Sequence, residues 1–273
     1  MKTTGISEAK RKDGTVYYRA YFTFNGRHIS LGSFDSAKDA ASAYSLAQKI
    51  VRDKKHFHIN TASEIEGYPK NAKSLSFEKW VMLINLRDSG IYSHNPIYLQ
   101  RRFFDYYLDP DTMLRFDIEE LFYYTNHKIQ RRGGHFFVAD YGMQVNILTR
   151  YGIKNYAVCD RDYRFVNGEQ WDFRAGNIEI INSYHGVTER LVKGEKRFIA
   201  KIHINGDFIV GKYKTVEEAA TAYNKAADYL EKKGLKKHFP RNFVETVDEV
   251  EYARIYHAVR ISSKLSLTVK GNL

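Results

Sequence analysis

The 273-residue sequence holds one cysteine, Cys159. That excludes internal disulfides and cysteine-rich zinc sites, and a reducing, cytoplasmic or nucleoid-associated setting is expected. Proline is scarce at four residues, and 43% apolar beside 27% charged residues excludes wholesale disorder. No apolar run reaches the ~18–20 residues of a membrane helix, so no membrane partner is expected. The opening MKTTGISEAKRKDG has no apolar core, and no secretory leader is expected. There is no Walker A loop, no Gly-x-Gly-x-x-Gly after a strand and no Gly-x-Ser-x-Gly. Cys-x-x-Cys and His-Glu-x-x-His are absent too.

What is present is positive charge, segregated by position. The net charge is +11. Residues 1–60 hold 11 Lys/Arg against 5 Asp/Glu, and residues 185–245 hold 13 against 8. Residues 61–184 hold 15 against 16, and residues 246–273 hold 4 against 3. Two short basic segments thus enclose a neutral middle. That pattern predicts two separate modules for a polyanion.

The two basic segments are copies of one unit. Residues 5–51 begin Gly5-Ile6 and residues 186–230 begin Gly186-Val187. Asn25-Gly26 matches Asn205-Gly206, and Gly32 and Phe34 match Gly211 and Tyr213. Ala40-Ala41-x-Ala43-Tyr44 matches Ala219-Ala220-x-Ala222-Tyr223. In each copy an aromatic or β-branched run (Tyr18 to Phe24, Phe198 to Ile204) precedes Asn-Gly, a two-residue hairpin signal because both positions tolerate positive φ. A second strand follows, His28 to Leu31 or Phe208 to Val210. Ser36 or Thr215 then caps an Ala-rich helix with Ala40, Ala43, Tyr44 and Ala47, or Ala219, Ala222, Tyr223 and Ala226, on one face. Each copy is expected to be a three-stranded antiparallel sheet backed by one helix.

Strand alternation assigns the faces. Ala20, Phe22 and Phe24 point to the helix, as do Ala200, Ile202 and Ile204. Arg19, Tyr21 and Thr23 point outward, as do Lys201 and His203. No second layer within the repeat covers that polar, basic face, and an exposed sheet face can read a major groove.

Both copies resemble the AP2/ERF DNA-binding domain, over roughly 45–55 residues each. The resemblance runs through Gly186-Val187, Ala200-Lys201-Ile202, Val210-Gly211-Lys212-Tyr213, Glu217 to Tyr223 and His238-Phe239-Pro240. It implies double-stranded DNA as the partner, read from the outward face. By position the readers are Tyr21, Thr23, His28 and Ser30, then Arg190, Lys201, His203, Asp207 and Ile209. Lys10, Arg11, Lys12, Arg19, Arg27, Lys193, Lys196 and Arg197 are the expected phosphate contacts. The family often has Arg, Trp and Glu at the reading positions, and this sequence departs from that set, so its GC-box preference does not carry over.

Residues 72–132 are expected to be helical, from the spacing of Phe77, Trp80, Val81 and Ile84, of Leu99, Arg102, Phe103 and Tyr106, and of Ile118, Leu121, Phe122 and Thr125, with Asp109-Pro110-Asp111 as a turn. Strands are expected at His135 to Asp140 and Met143 to Leu148. Residues 135–184 resemble a degenerate HNH (ββα-metal) nuclease domain, of a kind that sits beside such repeats in phage and mobile-element proteins. Val145-Asn146-Ile147-Leu148, Cys159-Asp160 and Asp172 to Ile178 take the motif positions. The motif histidines are replaced by Asn, Cys and Asp, so neither the base nor the metal ligand that hydrolysis needs is in place. Asp160, Asp162 and Asp172 hold Mg²⁺ only if a nickase reading applies, and Asn177 is expected to brace the loop. A helix over Val247 to Val259 is expected to pack on the second repeat.

The expected fold is α+β: an AP2-like module over 1–60, a helical region over 61–134, a ββα-like region over 135–184, a second module over 185–245 and a tail over 246–273. The expected function is non-catalytic duplex DNA binding by a transcription regulator or architectural protein, with no cofactor. The alternatives are a homing-type DNA nickase, an interaction factor whose central domain binds a protein partner, and RNA in place of DNA as the ligand.

Overall fold

The computed structural model describes residues 5–53, 61–68, 74–262 and 264–265. The expectations for residues 72–73, for the end of the first module past Asp53 and for the tail past Leu265 lie outside the described residues. The fold is mixed α+β, and the chain divides into two compact units. One comprises residues 1–147 with 169–177, the other residues 148–168 with 178–273.

The first unit opens with strands β1 (Ile6–Lys10), β2 (Val16–Phe24) and β3 (Arg27–Phe34), then helix α1 (Ala37–Arg52). The sheet order is β1-β2-β3, all antiparallel. Ser36 caps α1 by accepting from the Asp39 N–H. Ala40, Ala43 and Ala47 are fully buried on the sheet beside Ala20, Phe22, Ile29 and Leu31. Small alanines let the helix lie close. This core continues into α2 (Thr61–Glu66) and α3 (Phe77–Ser89), through Ile65, Val81 and Ile84. Arg87 of α3 is held by Glu64 and Asp88, and Tyr98 donates to Asp88.

Over residues 97–117 the helical expectation fails. Residues 97–117 form an antiparallel sheet, β4 (Ile97–Leu99), β5 (Phe103–Asp109) and β6 (Thr112–Asp117). Leu99, Phe103 and Tyr106 fall at helical spacing only by coincidence. Phe103-Phe104-Asp105-Tyr106-Tyr107 is rich in strand formers, and both faces of β5 are buried, so no two-residue alternation showed. Asp105, the polar residue in that run, pairs with Arg115 directly opposite on β6. The Asp109 to Thr112 turn closes the hairpin. The third group, Ile118 to Asn126, is helical: a 3₁₀ turn and then α4 (Leu121–Asn126). Strands β7 (Ile129–Arg132), β8 (His135–Asp140) and β9 (Met143–Asn146) form a third sheet of the unit, so residues 129–132 are strand and not helix.

The 135–184 segment also differs from the expected ββα order. After β8 and β9 comes a 3₁₀ turn over Ile147–Tyr151, then the short pair β10 (Tyr163–Phe165) and β11 (Ile178–Ile180), with another 3₁₀ turn at Ala175–Asn177. No α-helix lies between Ile147 and Tyr184. The sequence there reads Gly152, Gly168 and Gly176 among short apolar pieces, with too few consecutive helix formers to nucleate one. Asn177 does brace its loop, donating to the Asp172 and Glu169 carbonyls.

The second unit carries the other copy: β12 (Val187–Val192), β13 (Glu195–His203), β14 (Asp207–Tyr213) and α5 (Val216–Lys232). Thr215 and Glu218 form a reciprocal capping box at α5. Helix α6 (Glu249–Ala258) packs on α5, where Lys225 donates to the Tyr256 and Val259 carbonyls and Asn224 bonds Tyr252. Ile255, Val259 and Leu265 join the core of the module.

Candidate nucleic-acid interface

The two copies are built alike down to the backbone. Ile6 stands opposite Ala20, and Val187 opposite Ala200. The Gly5 carbonyl accepts from the Tyr21 N–H, and the Gly186 carbonyl from the Lys201 N–H, each at 2.7 Å. Both glycines have positive φ, and a Cβ there would lie 2.6 Å or less from the Tyr44 or Tyr223 ring. The β2–β3 ladder slips by one residue after Ala20, and the β13–β14 ladder after Ala200. The extra residues, Leu31 and Val210, are both buried.

One turn breaks the match. Asn25 and Gly26 both have positive φ and close the two-residue hairpin that the sequence predicts. In the second copy His203 pairs with Asp207 across three residues, and neither Asn205 nor Gly206 is left-handed. The second copy is one residue shorter here, so its Asn-Gly serves a different turn. Lys193 and Gly194 instead form a two-residue turn with both φ positive, between β12 and β13.

On the outward face of the first module, Arg19 is exposed, and its guanidinium lies 5.3 Å from the Tyr17 ring centre while donating to the Tyr17 hydroxyl. Arg11 lies over the same ring at 5.6 Å and pairs with Asp35. Tyr21 bonds Ser7, and Thr23 bonds His28 Nδ1 at 3.0 Å. Ser30 is exposed. The structure therefore brings Arg19, Tyr21, Thr23, His28 and Ser30 onto one face. It adds Tyr17, which the same alternation finds when carried two residues upstream. Lys12 is exposed in the β1–β2 turn, while alternation puts Lys10 and Arg27 toward the helix side, at strand ends.

The second outward face is more basic and less open. Arg190 and Arg197 stand directly opposite each other on β12 and β13. Like charges so placed repel, and an anion between them removes the penalty. Arg197 pairs with Glu195, whereas Arg190 has no carboxylate within 4 Å among the described residues. Asp207 ties together two neighbouring side chains of this face: His203 Nδ1 donates to it at 3.0 Å and Lys201 Nζ lies 3.8 Å away. The His203 bond, then Lys201, holds the Asp207 carboxyl below its ordinary range. Ile209 is 50% exposed beside them. Lys193 is exposed at the hairpin tip, and Lys196 turns to the helix side over Phe198 while pairing with Glu189.

The expectation of an uncovered face needs correction here. Ile199 faces outward by register, opposite Thr188 and Lys212, yet is only 6% exposed. It stands where the first copy has Arg19, so an exposed arginine there corresponds to a buried isoleucine here. Arg161 and Asp162 come from the loop before β10 and, with Arg190, Lys201, His203 and Asp207, line a cleft of about 210 Å³. Arg161 was not legible as a neighbour of this face, because a turn 40 residues upstream of Lys201 in sequence carries no signal of where it returns.

The nuclease-like positions hold carboxylates that already have partners. Asp162 accepts from Arg161 and from the Val158 N–H, and Asp172 accepts two bonds from the Arg174 guanidinium. Among the described residues no three His, Cys, Asp or Glu side chains converge as a metal site. Burial, then Asp160, pushes the Cys159 thiol up, the reverse of an activated nucleophile. In comparisons with family models, curated proteins and solved structures, nothing matches this chain.

Proposed function

We propose that the chain is a non-catalytic, double-stranded DNA-binding protein that grips its target with two AP2-like sheet faces, acting as a transcription regulator or architectural binder. The observation that carries this reading is the paired scaffold: one backbone plan used twice, with Arg19, Arg190 and Lys201 on outward faces. Two footholds on one chain raise the effective concentration of the second once the first is bound. In each module the outward side chains meet the groove and the flanking cations meet phosphate.

Selection from random duplex DNA at physiological salt with Mg²⁺ tests the reading. Enrichment of a two-part motif on intact strands is expected. The double variant Arg190→Ala, Lys201→Ala should then bind the selected site roughly 10- to 100-fold more weakly, with a shallower salt dependence. Unchanged affinity would refute the sheet-face assignment. Nicked strands, lost with Asp160→Ala or Asp172→Ala, would replace the reading with a nickase.

A second reading has one observation in its favour. Phe122 and Tyr141 in the neutral middle are 83% and 97% exposed. Aromatics so placed suit a protein partner for that region. A stable partner that co-purifies and is lost with Phe122→Ser would support it.

A further inference from the structure

The sheet β7-β8-β9 belongs to neither module, and register sorts its side chains into two unlike faces. Ile129, Val138 and Val145 stand in one row on the inner side, Ile129 and Val138 buried. Arg131 and Phe136 share that side, where Arg131 lies over the Phe136 and Trp171 rings. The opposite face has Phe137 at its centre, with Gln130 and Asn146 directly across from it on the two neighbouring strands. Arg132 stands across from His135, and Ala139 across from Gln144. Phe137 and Asn146 are half-buried, and the other five of these residues are exposed.

We infer that this face binds single-stranded DNA, with a base stacked on Phe137. Three features carry the inference. First, the face has no carboxylate: Asp140 falls on the inner side by register, near His127 and Tyr123. Its one charged side chain, Arg132, is positive and suits a phosphate. Second, the Phe137 ring offers a π-face for a base, and the exposed Gln130 carboxamide directly across from it offers a donor and an acceptor for the base edge. Ala139, the next residue outward on β8, is small and leaves the space beside the ring open. Aromatic side chains on the open face of a sheet stack unpaired bases in this way. Third, a duplex suits the face poorly. A central ring that stops at the sheet surface has nothing to stack on in a paired helix. The choice of DNA over RNA rests on the duplex reading of the two modules.

The test uses the full chain, a 5′-labelled oligothymidylate, the matching oligouridylate and a labelled duplex, at physiological salt. Phe137→Leu keeps an apolar side chain in place and removes the stacking surface, and Arg132→Ala alters an exposed position. Expected are about tenfold weaker oligothymidylate binding for Phe137→Leu and about threefold for Arg132→Ala, with duplex affinity unchanged in both. Crosslinking of a bromodeoxyuridine-substituted strand to β8 would locate the contact. Unchanged oligothymidylate affinity in both variants, or an equal loss of duplex affinity, overturns the inference. Tighter binding of the oligouridylate overturns the choice of DNA. Failure of the wild-type chain to bind duplex, with oligothymidylate still lost in the variants, would sink the two-module reading and leave this one standing.

Discussion

The first and second modules share a backbone and differ in almost every residue they show to solvent. Glycine against tyrosine, the slipped ladder and the alanine face recur without change. On the outward side Arg19 becomes Ile199, Tyr21 becomes Lys201, Thr23 becomes His203 and His28 becomes Asp207. Positions that hold the sheet on the helix allow few alternatives, because a Cβ or a methylene there meets packed atoms. Outward positions meet only what binds, or what folds over them. The two faces are therefore expected to recognise different surfaces on the same scaffold.

The strongest way to break the comparison is at its shared constraint. Gly186→Ala combines a positive φ with a Cβ 2.4 Å from the Lys201 carbonyl oxygen. It should cost about 3 kcal/mol or more, enough to melt the second module. Gly5→Ala should do the same to the first module, where the Cβ would lie 2.5 Å from the Tyr21 oxygen. Hydrogen exchange resolved by segment would show each loss confined to its own unit. Loss of protection in neither would mean that the close approach is not a constraint.

The next test swaps a difference. Ile199→Arg places a charge under cover and should destabilise by about 2–4 kcal/mol. Arg19→Ile, at the exposed counterpart, should change stability by less than about 0.5 kcal/mol. Equal effects in thermal melts would mean that the two faces are equally open.

Acid should also separate the modules. His185 lies between the Tyr156 and Tyr223 rings, with centroids 4.3 and 5.1 Å away. Burial first, then Arg161, holds its pKa below the ordinary value of about 6.5. The folded state thus resists the proton that the unfolded state accepts. This stabilisation is complete above about pH 6.5 and is lost as pH falls toward the depressed folded value. The second module should weaken first on acidification. Arg161→Ala should raise the His185 midpoint in an NMR titration, and a midpoint at or above the ordinary value in the parent chain would remove this asymmetry.

The smallest expected effect lies in the turns. Gly26→Ala should cost about 1–2 kcal/mol, because φ is +77° and only the backbone resists. Gly206→Ala should cost less than half as much, since Gly206 is not left-handed. Equal costs would mean that the two Asn-Gly pairs serve the same turn.

Both modules were legible because the repeat supplied two independent readings of one pattern. Ser36 and Thr215, the alanine faces and the inward Ala20 and Ala200 follow from spacing and capping chemistry alone. The middle was less legible. Strand β5 is buried on both faces and so lost the alternation that marks a strand, and its aromatic spacing matched a helix. The wall beside Lys201 was invisible, since Arg161 arrives from a turn with no pattern of its own. The unequal hairpins came from one missing residue after Gly206, which leaves the Asn-Gly signal intact and changes its geometry.

A chain that carries the same ladder twice also carries the means to pair the wrong strands. Strand β1 fits β13 as well as β2 so far as the backbone is concerned, because Ile6 and Val187 meet the same alanine in the same register. During folding, such an exchange would trap a chimeric sheet. The side chains oppose it. Trading β2 for β13 would put Arg19 in the buried place of Ile199 and leave Ile199 in the exposed place of Arg19. The divergence of the two outward faces thus guards the folding route as well as setting what each face can hold.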